Sequence, residues 1–429
     1  MNTHFHIFKP FIKNIQLIDT IKKGQYSFYT NVIEKISFFI FFVFLARVSS
    51  LNDYGNMIAV FALANILSYM LEFGFGAYLQ RESSSDTNVL AGEYSIIVVA
   101  KIILFPLYLV ICTVYIIVTN GAGIFIVFLV CTLIYVLNFN STLNGILYGK
   151  SRYRESFIAQ ASGKIIFVIF TLLTLLVIRN FYCLIILMLL GAVIQLILIL
   201  HYLRKEKLKI SLQKFQFSIL KKILSASLPI GMGIFFVFVY DKVDILLIQN
   251  ILNPEAVAVY SVGYSIYKLP LILISTILIP LFTELSSQYK SSGAINIGTI
   301  KAAGFYLLIY SFIVIAVFFF SAGIFVNIIF GSKYFASINV AKVLSLALPG
   351  LFLNNLTGVV LNSIRKERFP LYTTILGMLV NICTNILFIP VFGIYGAVWA
   401  TILAESIVFL LQAYLLKDLL KMIKNGQTS

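Results

Sequence analysis

The sequence predicts an all-α polytopic membrane protein with about 12 transmembrane helices. Three observations carry that prediction. Apolar residues fill 60% of the 429 positions, and a spanning helix takes about 20 mostly apolar residues, so the inventory matches about twelve spans. Charged residues are 11%, where a soluble domain has about 25%, and the mean hydropathy is +1.00. Finally, Lys and Arg collect on alternate connections. Together these exclude a soluble enzyme, a disordered chain and a disulfide scaffold.

Twelve apolar segments follow in order: 27–48, 55–79, 93–118, 122–148, 154–178, 181–203, 219–250, 256–284, 300–329, 336–363, 370–390 and 393–417. The first is preceded by Lys9, Lys13, Lys22 and Lys23, is too long for a signal-peptide core and has no small-residue cleavage site after it, so it is expected to be retained. Odd connections, such as Leu51 to Tyr54 and the one at Asn180, are short; even ones are longer and basic. With the even connections and both termini on one side, that side holds 23 Lys and Arg, the other holds Arg47, Arg179 and Lys333, and six lie within spans. Basic loops stay cytoplasmic, so both termini are expected there. The net charge of +16 therefore reads as topology, and no nucleic-acid partner is expected.

The basic run Arg204, Lys205, Lys207, Lys209, Lys214, Lys221 and Lys222 divides the chain. The expected organisation is a cytoplasmic segment 1–26, a six-helix bundle 27–203, a basic linker 204–218, a second six-helix bundle 219–417 and a tail 418–429. The linker anchors topology and also has the chemistry to meet anionic lipid headgroups. Leu51-Asn52 matches Leu252-Asn253, and Leu143-Asn-Gly145 with Arg152 matches Leu356-Thr-Gly358 with Arg365. Two six-helix halves of like orientation make a parallel, pseudo-symmetric repeat, with substrate expected in a central cavity between the halves.

Cys112, Cys131, Cys183 and Cys383 all lie in apolar runs and read as small buried hydrophobes. His4, His6 and His201 form no ligand cluster, no phosphate-binding loop occurs, and no paired carboxylates sit on a loop. Neither metal nor cofactor is expected, and the activity expected is transport, not catalysis.

Charges inside spans are costly and mark pairs or wet cavities. They are Glu34, Lys35, Glu72, Lys101, Lys164, Asp241, Lys242, Asp244, Lys268, Lys342 and Glu405, six cations and five anions that pairing alone could largely neutralise. Lys35, Lys101 and Lys342 stand near helix ends, from where a long side chain reaches water. Lys164, Lys268 and Glu405 stand near mid-helix. Asp241 and Asp244, three apart, share a face and are candidates for ion coupling; Lys242, about 100° away, need not pair with either. Tyr260, Tyr264 and Lys268 recur every four residues, with Tyr267 beside them. Such a face suits a sugar phosphate, the rings stacking, the phenols meeting hydroxyls and the ammonium meeting phosphate; it equally suits tyrosine packing. Pro106, Pro229, Pro270, Pro280 and Pro349 interrupt spans, with a bend expected near Pro229, Gly231 and Gly233. Asn138, Asn140, Asn144, Asn354, Asn355, Asn381 and Asn385 are expected to bond between helices.

Ala46-Arg47, Tyr54-Gly55, Phe73-Gly74-Phe75 and Arg81-Glu82 resemble the opening of bacterial O-antigen-type polysaccharide lipid flippases. Pro229, Asp241, Asp244, Tyr260-Ser261, Pro280, Phe330-Gly331 and Tyr334 extend the likeness. The closing block Asn381, Asn385, Ile389-Pro390, Gly393, Gly396-Ala397, Ala400-Thr401 and Glu405 is its most specific part. The resemblance implies the multidrug/oligosaccharidyl-lipid/polysaccharide exporter superfamily, with two six-helix bundles in a V. It implies a flippase carrying undecaprenyl-pyrophosphate-linked oligosaccharide, an O-antigen or related repeat unit, across the bacterial cytoplasmic (inner) membrane by alternating access, driven by an ion gradient. It also implies a cationic cavity, for which Arg47, Lys101, Lys164 and Lys268 are candidates beside Tyr260 and Tyr264, while Asp241, Asp244 and Glu405 are the coupling candidates. Expected partners are the lipid-linked substrate, membrane lipids, and a polysaccharide polymerase and chain-length regulator. Two alternatives stand: a multidrug and toxin extrusion antiporter, against which six intramembrane Lys argue, and an integral-membrane polysaccharide polymerase, against which the short odd loops argue.

Overall fold

The computed structural model describes residues 15–83, 87–118, 123–175, 180–206, 208 and 216–424. His4, His6, Lys9, Lys13, Arg179, Lys207, Lys209 and Lys214 lie outside the described residues, as do parts of the expected terminal segments and linker. All regular structure among the described residues is helical, as lipid demands: a backbone without water must satisfy its own hydrogen bonds.

In chain order the helices are α1 (Ile15–Val48), α2 (Leu51–Met70), α3 (Phe75–Glu82), α4 (Thr87–Val118), α5 (Ile124–Gly149), α6 (Tyr153–Leu175), α7 (Phe181–Lys205), α8 (Phe217–Ile251), α9 (Pro254–Lys268), α10 (Leu271–Ser292), α11 (Ile297–Phe325), α12 (Ser337–Ser345), α13 (Leu348–Ser363), α14 (Arg368–Phe392) and α15 (Ile394–Lys424). A π-helical turn, Val326–Phe330, closes α11, and a 3-10 turn, Ser332–Tyr334, follows it. Each of the twelve predicted segments falls on one helix or on a broken pair. Among the described residues nine helices are long and apolar enough to cross a membrane, and eleven if each of two bent pairs counts as one span. α1 and α10 are the remaining long helices: α10 enters the count only through its first turn, and α1 carries Glu34, Lys35 and Arg47 in its apolar stretch.

Three segments read as single helices are broken. Between α2 and α3 the chain bends by 45°. Phe73 and Gly74 both take positive φ, 53° and 77°. A Cβ on Gly74 would stand 2.4 Å from the Ser227 carbonyl oxygen, so the backbone of the bend lies against α8 with room for glycine only. The Glu72 carboxylate accepts from the Gly74 and Gly76 amides at 2.7 and 2.6 Å, satisfying donors at the start of α3. The second break ends α9 at Lys268: Pro270 supplies no amide hydrogen and Leu269 closes a tight turn onto the Ile266 carbonyl. Lys268 is thus at the end of a helix, not near its middle. The third, a 50° bend, separates α12 from α13 just before Pro349. By contrast α8 runs as one helix through Pro229.

The chain forms two compact units. One comprises the chain up to Phe42, Leu67–Thr113 and Phe128–Met232; the other comprises Val43–Ile66, Val114–Val127 and the chain from Gly233. The boundary between them thus runs inside α8. The first unit buries Phe75, Tyr78, Leu79, Tyr94, Leu143, Leu147 and Leu203 in one cluster. Its α6 and α7 cross at Gly163 and Gly191, where a Cβ on either glycine would come within 2.5 Å of the other's carbonyl oxygen. Small residues allow such close backbone approach, the main source of dispersion contact between helices in lipid.

In the second unit α14 packs along α15, α13 lies against α10, α11 and α15, and α12 lies on α9. Four sequence fragments of this unit meet at one junction. Arg47 Nε donates to the Ile329 carbonyl at 2.6 Å, and its Nη2 to that of Ile328. Lys333 donates to the Ser49 and Arg47 carbonyls, and the Tyr334 phenol to that of Ala46 at 3.0 Å. The rings of Tyr54 and Tyr334 meet edge to face at 5.7 Å. Large apolar side chains also face outward and amides inward: Phe320 is 90% exposed, while Asn140 and Asn385 are fully buried.

Candidate functional site

The densest polar constellation lies in the second unit, on the face that α8 presents to α9, α14 and α15. Asp241 and Asp244, one turn apart on α8, meet different partners. Asp241 Oδ1 accepts from the Tyr264 phenol at 2.8 Å and the Lys268 ammonium at 2.9 Å, both on α9. Its Oδ2 pairs with Lys242 at 2.9 Å. The expectation that Lys242 need not pair is corrected: the Cα vectors diverge, but four methylenes let the ammonium curl back to its neighbour. Asp244 is deeper. Its Oδ2 accepts from Tyr260 at 2.7 Å and Thr401 at 3.0 Å, and its Oδ1 from Asn385 at 2.7 Å. Asn385 also donates to Asn381 on its own helix.

Helical period explains the assembly. Tyr260, Tyr264 and Lys268 at four-residue intervals form one stripe on α9, opposite the stripe of Asp241 and Asp244 on α8. The Tyr260 and Tyr264 rings stack at 5.7 Å and the Lys268 ammonium stands 5.0 Å from the Tyr264 ring centre. Residues assigned from sequence to two tasks, substrate binding and ion coupling, thus form one constellation of two hydrogen-bonded clusters, around Asp241 and around Asp244, joined by the stacked Tyr260 and Tyr264 rings. Thr401 and the amides of Asn381 and Asn385 complete it. In the sequence Thr401 stands out only as part of the closing block; its spacing of four residues from Glu405 places it on the same stripe of α15.

Glu405 stands beside the network. Its carboxylate accepts from Asn354 of α13 at 2.5 Å, and the same amide donates to its carbonyl at 3.0 Å. A further chain links Thr357, Gln412 and Thr373 across α13, α15 and α14.

The remaining candidate cations are engaged elsewhere. Arg47 belongs to the junction with the π turn. In the first unit Lys164 of α6 pairs with Glu34 of α1 at 3.4 Å. Lys101 does not reach water, as its position near a helix end had suggested: it is 1% exposed. Its ammonium donates to Asn138 at 2.6 Å and Thr142 at 2.7 Å on α5, and stands 5.8 and 5.9 Å from the rings of Tyr135 and Phe139. Lys35 is exposed and Lys342 half-buried. Among the described residues no group of three or more His, Cys, Asp or Glu is placed to hold a metal ion.

Helical membrane bundles with broken helices and buried ionisable networks are the architecture of secondary transporters. A family described as polysaccharide biosynthesis protein matches residues 21–286, more than half of the chain, and the chain belongs to that family. Among curated proteins, an uncharacterized membrane protein of Methanocaldococcus jannaschii is 30% identical over 149 residues; the match spans 34% of this chain and 29% of that relative. Solved structures share the fold at low identity. A multidrug resistance MATE family transporter of the MOP superfamily, in an inward-facing conformation, gives a TM-score of 0.73 at 14% identity, covering 91% of this chain and 96% of that one. The lipid II flippase MurJ, in an inward closed conformation, gives 0.70 at 15% identity, covering 92% and 87%. A MOP superfamily transporter from Pyrococcus furiosus gives 0.65 at 15% identity, covering 94% and 96%. The chain is accordingly a multi-pass membrane protein of the polysaccharide biosynthesis protein family, with a fold shared with these transporters.

Proposed function

We propose that this protein is a flippase that carries an undecaprenyl-pyrophosphate-linked oligosaccharide, an O-antigen or related surface-polysaccharide repeat unit, from the cytoplasmic to the outer leaflet of the bacterial inner membrane. The observation that carries the reading is the partly exposed Lys268 ammonium, set on a Tyr face and paired with Asp241, one helical turn from the buried Asp244. Phosphate attracts ammonium groups, sugars stack on phenol rings, and buried carboxylates give an ion gradient a place to act. The polysaccharide biosynthesis family supports the substrate class, and the MurJ-like fold supports movement of a lipid-linked headgroup. In this reading Tyr260, Tyr264 and Lys268 meet substrate, Asp241, Asp244 and Glu405 take part in coupling, and both termini are cytoplasmic. Lys164, Lys101 and Arg47 are secondary candidates, since each bonds to groups outside the constellation of Asp241 and Asp244. The polymerase and chain-length regulator of the same pathway are the proposed protein partners.

The test is a deletion strain analysed by mass spectrometry of its lipid-linked sugars. The expected result is accumulation of a single repeat unit on undecaprenyl pyrophosphate, with loss of surface polysaccharide and unchanged susceptibility to cationic drugs. A MATE-like fold keeps a second reading, drug extrusion, in view; heightened drug susceptibility without lipid-linked accumulation would establish that one instead.

A further inference from the structure

Asp241 occupies a position that an anion from outside the protein could fill. Three donors from two helices converge on its carboxylate: the Lys242 ammonium on one oxygen, and the Lys268 ammonium and Tyr264 phenol on the other, all within 2.9 Å. A carboxylate held by two ammonium groups and a phenol has the surroundings of a bound phosphoryl oxyanion. We propose that Lys242, Tyr264 and Lys268 form an anion site for the diphosphate of a lipid carrier, and that Asp241 fills this site as an internal stand-in until the diphosphate displaces it. The proposal rests on the flippase reading and deepens it.

Exposure separates Asp241 from the carboxylate one turn away. The side chains of Asp241, Lys242 and Lys268 are 29%, 29% and 31% exposed, so all three can be reached. Asp244 is 4% exposed, and Tyr260, Thr401 and Asn385 take up its oxygens from three helices. Asp244 is fixed in the packing; Asp241 is held only by groups that would also hold a phosphate. Glu405 is bonded to Asn354 and acts on Lys268 only through space.

Charge gives the exchange its direction. Two ammonium groups contact the one carboxylate of Asp241, while Glu405 and Asp244 act on Lys268 through space without bonding to it. A diphosphate of about two negative charges neutralises both lysines and still has an oxygen for the phenol. The lysines remain paired before and after the exchange, so no cation is left bare in low dielectric at either stage. The same arrangement answers the problem of release. A site that binds diphosphate with nothing to replace it would trap the substrate, whereas the returning Asp241 competes for the same donors.

The experiment uses full-length protein in phosphatidylcholine nanodiscs, with inorganic pyrophosphate and undecaprenyl diphosphate as probes and binding read by calorimetry. Removing an internal competitor raises apparent affinity by the reciprocal of the fraction of sites it left free, so with about one site in ten free Asp241→Asn is expected to tighten binding of both probes on the order of tenfold. In that background Lys242→Gln and Lys268→Gln are each expected to weaken binding again. Asp241→Ser, which removes the carboxylate and most of its reach, serves where the Asn variant does not fold, and should tighten binding in the same way. Unchanged or weaker binding in the folded Asp241 variants would overturn the proposal. Phosphatidylglycerol nanodiscs separate carrier from bulk lipid: persistence of probe binding there supports a diphosphate site, and its loss there assigns the site to ordinary anionic headgroups and overturns it. The flippase reading fails separately, by absence of lipid-linked sugar in the deletion strain, an outcome that does not depend on these affinities.

Discussion

The Lys101 ammonium and the Glu72 carboxylate are joined through one hydroxyl. Thr142 Oγ1 lies 2.7 Å from Lys101 Nζ and 3.4 Å from Glu72 Oε1. Two buried charges on α4 and at the end of α2 are thereby bridged by α5, at the point where Glu72 also satisfies the first amides of α3. Thr142→Val keeps the volume and removes the bridge. It is expected to lower stability by about 1–3 kcal/mol, because it leaves charged groups short of a partner. Thermal unfolding of detergent-purified protein reads this. Removing both charges, Lys101→Met with Glu72→Gln, should cost less than the sum of the single changes, since each single change strands the other ion. Additive losses would mean that the two groups do not interact.

The crossing of α6 and α7 predicts a steric result. The obstacle at Gly163 is the backbone of Gly191, which cannot rotate away as a side chain can. Gly163→Ala and Gly191→Ala are each expected to lower stability by about 1–3 kcal/mol, and Gly163→Val by more. Gly92, with open space around its Cβ position, is the control and should accept Ala with little change. Equal melting temperatures for all three Ala variants would refute this packing.

Outside the apolar spans, Glu206 pairs with Lys150 at 3.2 Å and Arg152 at 2.9 Å. Burial alone would raise its pKa, but the ammonium and guanidinium outweigh burial and hold it below the ordinary value of 4.5. The folded protein therefore binds this proton less readily than the unfolded chain. The resulting stabilisation is complete above about pH 4.5 and is lost as pH falls through the lower folded value. Glu206→Gln should melt below wild type at pH 7, and the gap should close on acidification towards pH 3. A gap that stays constant would show that the ion pairs do not contribute.

The charge asymmetry of the connections predicts orientation. Alkaline phosphatase fused after Asn180 is expected to be active and fused near Lys209 inactive. Activity at Lys209 would reverse the arrangement of the whole chain.

Helix positions were legible because span length and apolar density impose them, although three of the twelve segments fall on broken pairs. The stripes at 241/244 and 260/264/268 were legible too, because four-residue spacing puts side chains on one face. That the two stripes face each other was not, since periodicity orients a helix about its own axis and says nothing about its neighbour. Lys242 was misjudged for a related reason, as Cβ direction constrains a short side chain far more than a long flexible one. The Pro270 break could be read from the missing amide; the break at Phe73-Gly74 could not, because its cause is the backbone of α8 lying against it. Thr142 gave no signal, being a common residue in an apolar helix.

The junction of Arg47 with the Ile328 and Ile329 carbonyls bears on the order of events during synthesis. The partners are separated by 281 and 282 residues. At about 5–20 residues per second the ribosome needs roughly 15–55 s to make the later half of the contact. Throughout that interval the end of α1 is already inserted, with the Arg47 guanidinium and the Ala46 and Ser49 carbonyls still without these partners. These contacts are therefore completed from the far end of the chain: they close only after α11 has emerged, and a chain truncated before Val326 retains α1 without them.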